Sequence, residues 1–189
     1  MVRIATEAKS WLAPADIILL MPDEQITAIP PQPGPSKAIM PPGFDSLLGL
    51  TLTEMSPDRV VGKLTVDERH QQPYGVTHGG IHCSVVETLA STGAALWAME
   101  AGLAGVVGVS NSTDFLRSHR EGPLTAVAMP IHRGRMQQLW AVEVRRDSDE
   151  KVVSRGQVRL QNLVDTVAIG GITPPGEFRE VPLDGKGSS

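Results

Sequence analysis

The chain has 189 residues, a net charge of −4 and a single cysteine. That length suits one domain of ordinary size with enough chain to bury a core. The acidic balance leaves no electrostatic footprint for nucleic acid or an anionic membrane. Lone Cys83 excludes an internal disulfide and fits a reducing compartment.

In chain order, residues 1–21 carry a poor helical signal over Thr6 to Leu12. The apolar run Ile17 to Met21 is too short to span a bilayer. Pro14 and Asp16, with no convincing cleavage site, argue against a secretion signal, so a soluble cytoplasmic protein is expected. Seven of the fifteen prolines fall between Pro22 and Pro42. Few backbone donors and a stiff extended bias make residues 1–43 a Pro-rich extension, a linker or wrapping arm rather than core. The spacing of Phe44 to Leu50 predicts a short helix. Leu50 to Val66 reads as two strands joined at Ser56-Pro57-Asp58, and His70 to Thr77 as a loop marked by Pro73 and Gly75.

The stretch that follows organises the rest. From Ile81 to Met99 there is one carboxylate, Glu87, and no Lys or Arg, while apolar or small residues occupy nearly every face. A helix of that kind is buried, and a carboxylate on it is costly unless paired or hydrogen-bonded. After Gly102 the period changes. Val106 to Leu116, Leu124 to His132, Gln137 to Arg146 and Val152 to Gln161 read as strands, with turns at Gly134 and at Asp147 to Glu150. Trp140, Val142 and Val144 alternate with Ala141, Glu143 and Arg145. Four such strands with short turns predict an antiparallel meander. Residues 164–189, rich in Gly and Pro, show no periodicity and read as a mobile tail. The expected fold is α+β: a curved antiparallel sheet wrapped around one long central helix, with a partner subunit covering the helix's other side.

Tyr74-Gly75-Val76-Thr77-His78-Gly79-Gly80, then Glu87, then Thr113-Asp114-Phe115-Leu116-Arg117 and Glu121-Gly122, resemble the hotdog-fold acyl-CoA thioesterases. More narrowly, they are similar to the branch containing phenylacetic-acid-pathway and 4-hydroxybenzoyl-CoA thioesterases. The resemblance covers about residues 44–162, within a domain placed at 44–163. It implies a hotdog domain there, cytoplasmic thioester hydrolysis with coenzyme A as part of the substrate, and no separate cofactor. It also implies a homodimer, or a dimer of dimers, with active sites at the subunit interface. The family's pattern has an amide side chain six positions before the histidine, here Gln72. It has an acid nine positions after that histidine, here Glu87, and a Ser or Thr one turn beyond the acid, here Ser91.

These residue types fit the chemistry. Gly79 and Gly80 open the helix, where backbone N–H groups lack intrahelical partners and the dipole is positive. Glycine lets a substrate carbonyl approach the main chain, so an oxyanion hole is expected there. Glu87 would attack the carbonyl as a nucleophile or act as a general base for water. Gln72 would hold the water or the carboxylate, Ser91 would orient Glu87, and His78 would support the turn or donate to the thioester. Gly80 and Glu87 are seven residues apart, roughly 10 Å along one helix. One subunit therefore has difficulty placing both on one carbon, whereas two antiparallel helices across a two-fold axis bring Gly79 of one copy to Glu87 of the other. Arg117, Arg133 and Arg135 lie near strand ends and suit contacts with the phosphates of coenzyme A, as do His119 and Arg120. Trp97 and Trp140 are candidate walls for the acyl group.

His78 and His82 have the i, i+4 spacing of a metal pair. The Glu that a zinc protease needs is replaced by Gly79 and no third ligand stands out, so no metal is expected. Cys83 lies within an apolar helix, where cysteine behaves as a small hydrophobe. A non-catalytic acyl-CoA-binding or sensor protein is the alternative, and it has no use for an acid at position 87.

Overall fold

A computed structural model describes residues 43–164, together with the backbone of two short strands at 38–40 and 179–181. The expected helix at Thr6 to Leu12 and most of the Pro-rich extension lie outside the described residues, as does most of the segment after 164. Along the chain the elements are β1 (Ala38–Met40), α1 (Phe44–Leu48), β2 (Thr51–Met55), β3 (Val60–Val66) and a single 3-10 turn at Glu68–His70. Then come α2 (Gly79–Glu100), β4 (Gly105–Phe115), β5 (Gly122–Arg133), β6 (Gln137–Arg146), β7 (Val152–Leu163) and β8 (Arg179–Val181). Together they form the hotdog fold, one antiparallel sheet against the long helix α2.

The strand order is β4-β7-β6-β5-β3-β2-β1-β8. Strands β1 and β8 come from stretches that sequence patterning places outside the domain, and they pair with each other, Ala38 opposite Val181. The order also corrects the expected four-strand meander. Strands β5, β6 and β7 do follow one another, but β4 pairs with β7 and β5 with β3. The reason lies in α2. The chain leaves its C-terminal end and lays β4 along its flank as the far edge of the sheet, then crosses to β3 to complete the wrap.

Helix and sheet meet through one apolar layer. Val85, Val86, Leu89, Ala90 and Ala94 of α2 pack on Val60 and Leu64 of β3, Leu124, Ala126 and Ala128 of β5, Trp140, Val142 and Val144 of β6, and Val158 and Leu160 of β7. Small residues let the layers close. A Cβ on Gly62 would lie 2.9 Å from Leu89 Cδ1, and one on Gly93 would lie 2.4 Å from the Trp140 ring. Trp140 is thus core rather than an acyl wall. Its Nε1–H donates to Gln138 Oε1 (3.0 Å), and Gln138 Nε2 donates to the Ala94 carbonyl (3.1 Å) and to Asn162 Oδ1 (2.8 Å). This satisfied buried network fixes the helix against β6 and β7.

The apolar layer covers only one side of α2. Away from it the helix carries Ser84, Glu87, Thr88, Ser91 and Thr92, all half-buried, beside exposed Gly80, with Glu87 on the margin next to the edge strand β4. The helix that reads as apolar all round therefore has a hydroxyl-rich stripe, with Glu87 along its β4 side.

Candidate active site

The loop leading into α2 is pinned by histidines. His70 is buried; its Nδ1 accepts from the Asp67 N–H (3.0 Å), and its Nε2 lies 2.9 Å from the Leu48 carbonyl. The His78 N–H donates to the His70 carbonyl (2.8 Å), and the Thr77 N–H donates to the His119 carbonyl (2.7 Å). Between them, Gln71 to Thr77 form a tight loop in which the Gly75 N–H donates to the Gln72 carbonyl (2.8 Å). Gly75 holds φ 71°, the left-handed region that favours glycine.

His78 is the N-cap of α2. Its φ of −64° and ψ of 136° are extended, and its Nδ1 accepts from the Gly80 N–H at 2.9 Å. This bond requires an unprotonated Nδ1. It also divides the expected oxyanion donors, because the Gly80 N–H is already occupied. The Gly79 N–H has no acceptor among the described residues. Gly79 is small for a further reason: a Cβ there would lie 2.8 Å from the ring of Phe115.

Two turns on, Glu87 is held by neutral groups. Ser91 Oγ donates to Oε1 (3.3 Å) and Asn111 Nδ2 donates to Oε2 (2.9 Å). Ser84 turns away to the Gly80 carbonyl (2.7 Å). Among the described residues Glu87 has no cationic partner. Glu143 is the contrast. Only 1% exposed, it is closed in by Arg145 (2.6 Å) and Arg155 (2.9 Å), the pairing that a buried structural carboxylate requires.

Beside Glu87 stand residues that sequence patterning does not single out. Strand β4 carries a bulge between Gly108 and Ser110, where the pairing with β7 shifts register. Before the bulge, Val106 and Gly108 face the helix; after it, Asn111, Thr113 and Phe115 do. Simple alternation from Gly108 would turn Asn111 outward. A Cβ on Gly108 would lie 2.3 Å from Glu87 Oε1, so glycine makes the room that the carboxylate occupies. A bulge in an edge strand re-aims side chains in this manner.

On the helix's other flank, Thr88 Oγ1 donates to Asp45 Oδ1 at 2.6 Å, docking α1 one residue from Glu87. Burial pushes the Asp45 carboxyl up and the Thr88 bond pulls it down, with burial the larger effect. Phe44 and Leu47 of α1 are exposed.

The remaining expected site residues are scattered within one chain. Gln72 Oε1 accepts from the Tyr74 N–H, and its side chain makes no contact with Glu87. Arg117 donates to the Val152 carbonyl (2.6 Å). Arg133 bonds the Pro57 carbonyl (3.0 Å), pairs with Asp58 (2.8 Å) and lies over the Trp97 ring. Arg135 is exposed, and its guanidinium has no partner among the described residues. His119 is buried, and Arg120 reaches the Gly75 carbonyl (3.4 Å). His78 and His82 do not converge. His82 is buried against Ser154 Oγ (3.0 Å) and beside the Phe115 ring, and burial, helped by the nearby His119, pushes its pKa down to about 4. Among the described residues no cluster of three metal-ligating side chains occurs, and no helix is long and apolar enough to cross a membrane.

Residues 74–153 match the Thioesterase superfamily. Rv1847 of Mycobacterium tuberculosis, whose name assigns it provisionally as an esterase, is 48% identical over 135 residues, covering 71% of this chain and 94% of that protein. Its solved structure superposes with a TM-score of 0.62, covering 65% of this chain and 97% of that one. The thioesterase HI1161 of Haemophilus influenzae superposes with a TM-score of 0.58 at 33% identity, over 63% of this chain and 81% of that one. The proofreading thioesterase EntH of Cronobacter sakazakii is 32% identical over 97 residues, 51% of this chain and 69% of that protein. The chain belongs to the thioesterase superfamily of hotdog proteins.

Proposed function

We propose that this chain is an acyl-CoA thioesterase that hydrolyses an aryl- or medium-chain acyl-CoA thioester to free acid and coenzyme A. The observation that carries the reading is Glu87: a half-buried carboxylate on an otherwise uncharged helix, oriented through both oxygens by neutral donors and neutralised by no cation among the described residues. A carboxylate kept reactive in such a place suits a nucleophile or base better than a structural anchor. Attack by Glu87 breaks the C–S bond and leaves a mixed anhydride that water then hydrolyses to the free acid, restoring the carboxylate. Alternatively, water that Glu87 deprotonates attacks the carbonyl directly. In either route the expelled thiolate takes up a proton as coenzyme A. The free Gly79 N–H at the positive end of α2 stabilises the oxyanion that forms on the way.

The active unit is a homodimer, or a pair of dimers, in which Gly79 and Gln72 of one copy meet Glu87 and Ser91 of the other. Two features support this. The hydroxyl-rich face of α2 is only half-buried within one chain, with Gly80 exposed beside it, and β4 is an eleven-residue edge strand, an open template for pairing with another chain. Exposed Arg135 is the best of the three arginines for the coenzyme A phosphates, followed by Arg117, whereas Arg133 is already engaged. The Gln72 and Glu87 combination favours the aryl-CoA branch, and lone Cys83 accords with a cytoplasmic setting.

The test is thiol release from a panel of benzoyl-, hydroxybenzoyl-, phenylacetyl- and medium-chain acyl-CoAs, with oligomeric state measured in parallel. Turnover of aryl or medium-chain esters by a dimer or larger assembly is the expected result. Binding of these esters without any thiol release would instead make the chain a sensor.

A further inference from the structure

We infer that Asn111 is a positioning residue for Glu87, aimed at the carboxylate by the β4 bulge; the inference rests on the thioesterase reading above. The Asn111 side chain is fixed at three points. Its Nδ2 donates to the Cys83 carbonyl (3.0 Å), one helical turn before Glu87, and to Glu87 Oε2 (2.9 Å). Its Oδ1 accepts from Thr113 Oγ1 (2.7 Å). With the oxygen held by Thr113, the amide nitrogen faces the helix and spends one N–H on the backbone and one on the carboxylate.

The placement has a specific structural origin. The inserted residue Val109 changes the parity of β4, so Asn111 rather than Ser110 or Ser112 points at α2. Gly108, on the near side of the bulge, supplies the space for Oε1. Ser91 holds Oε1 and Asn111 holds Oε2, so the carboxylate plane is set from two elements. Both donors are neutral. They orient the carboxylate without pairing its charge, unlike Arg145 and Arg155 at Glu143. An amide that only tied strand to helix would be satisfied by the Cys83 carbonyl; its second N–H is directed to the reacting group.

The experiment compares steady-state thiol release by Asn111→Ala, Asn111→Asp and Glu87→Ala with the unaltered chain, with thermal melting of each. Asn111→Asp keeps the volume but replaces the donor by an acceptor facing both the Glu87 carboxylate and the Cys83 carbonyl, so the strand–helix tie is lost with the bond to Glu87 and melting reports the structural part of the effect. Loss of the hydrogen bond to the charged group predicts kcat lower by roughly 10- to 100-fold in both Asn111 variants, with KM little changed and a lower melting temperature, lowest in Asn111→Asp, in chains that remain folded at the assay temperature. Thr113→Val, which keeps shape and removes only the hydroxyl that orients Asn111, lowers kcat less and carries the test should an Asn111 variant fail to fold. Loss of turnover in Glu87→Ala with kcat of the Asn111 variants within twofold of the parent, or a change confined to KM, overturns the inference and leaves the thioesterase reading standing. Turnover indifferent to Glu87→Ala overturns both.

Discussion

Gly108→Ala isolates the position of Glu87 from the stability of the fold. The strand backbone at Gly108 is not in the left-handed region, so alanine meets no conformational penalty there. Its Cβ would stand 2.3 Å from Glu87 Oε1 and 3.4 Å from Cδ, against 3.4 Å or more for ordinary contact. The atom that must yield is the end of a flexible side chain, on the half-open face of α2, so relief comes from moving the carboxylate by about 1 Å rather than from moving strand or helix. A displacement of that size at a reacting group costs about 100-fold in rate. A single methyl group in an edge strand, with its nearest neighbour free to move, changes stability by roughly 0.5 kcal/mol or less. The assay is kcat/KM for the best thioester, measured beside thermal melting. The expected outcome is a large loss of turnover in a chain that melts within a few degrees of the parent. Full activity in Gly108→Ala would refute the argument that Glu87 works from the place seen here.

Gly79→Pro removes the candidate oxyanion N–H at the first helical position, after a residue already extended at φ −64° and ψ 136°; because a Cβ there would lie 2.8 Å from the exposed Phe115 ring, Gly79→Ala, which adds that contact and keeps the N–H, is the reference. Turnover is expected to fall about 100- to 1,000-fold with helicity by circular dichroism retained; an unchanged rate assigns the oxyanion elsewhere. Mixing refolded Gly79→Pro and Glu87→Ala chains, each inactive alone, is expected to restore about one quarter of parental activity, since half the dimers are mixed and each has one intact interfacial site. No recovery would mean that both groups act within one chain. His82 makes stability depend on pH. Unfolded, it binds a proton below about 6.5; folded, it stays neutral down to about 4. Its contribution is therefore complete above pH 6.5 and is lost as pH falls from there to about 4, about 3 kcal/mol in all. Urea unfolding at several pH values in that range, beside His82→Gln, is expected to show a flatter profile in the variant. Parallel profiles would contradict the assignment.

What patterning along the chain reveals, and what it conceals, follows from the range of the interactions. Helix α2 is legible because nineteen consecutive residues carry a single charge, and Glu87 is legible because it is that charge. The alternation of Trp140, Val142 and Val144 places the core face of β6 correctly. Glu143, on the other face, is nearly inaccessible, because Arg145 and Arg155 close over it; that pairing joins two strands and has no local signature. Position of β4 beside β7, and the bulge at Val109, depend on which strand a chain returns to after a helix. Asn111 and Gly108 therefore pass as ordinary residues of an irregular strand until the fold sets them against Glu87. The arginines show the same limit. Arg133 reads as a free phosphate ligand, yet it is tied to Asp58, which lies far away in sequence.

The claim on which everything else depends is that Glu87 performs thioester hydrolysis. Its most direct test is thiol release from aryl- and medium-chain acyl-CoAs by the parent chain and by Glu87→Ala, with both shown to be folded and equally assembled. The account predicts turnover in the parent and a fall of several orders of magnitude in the variant, with acyl-CoA binding kept. Equal turnover in the two chains would contradict it.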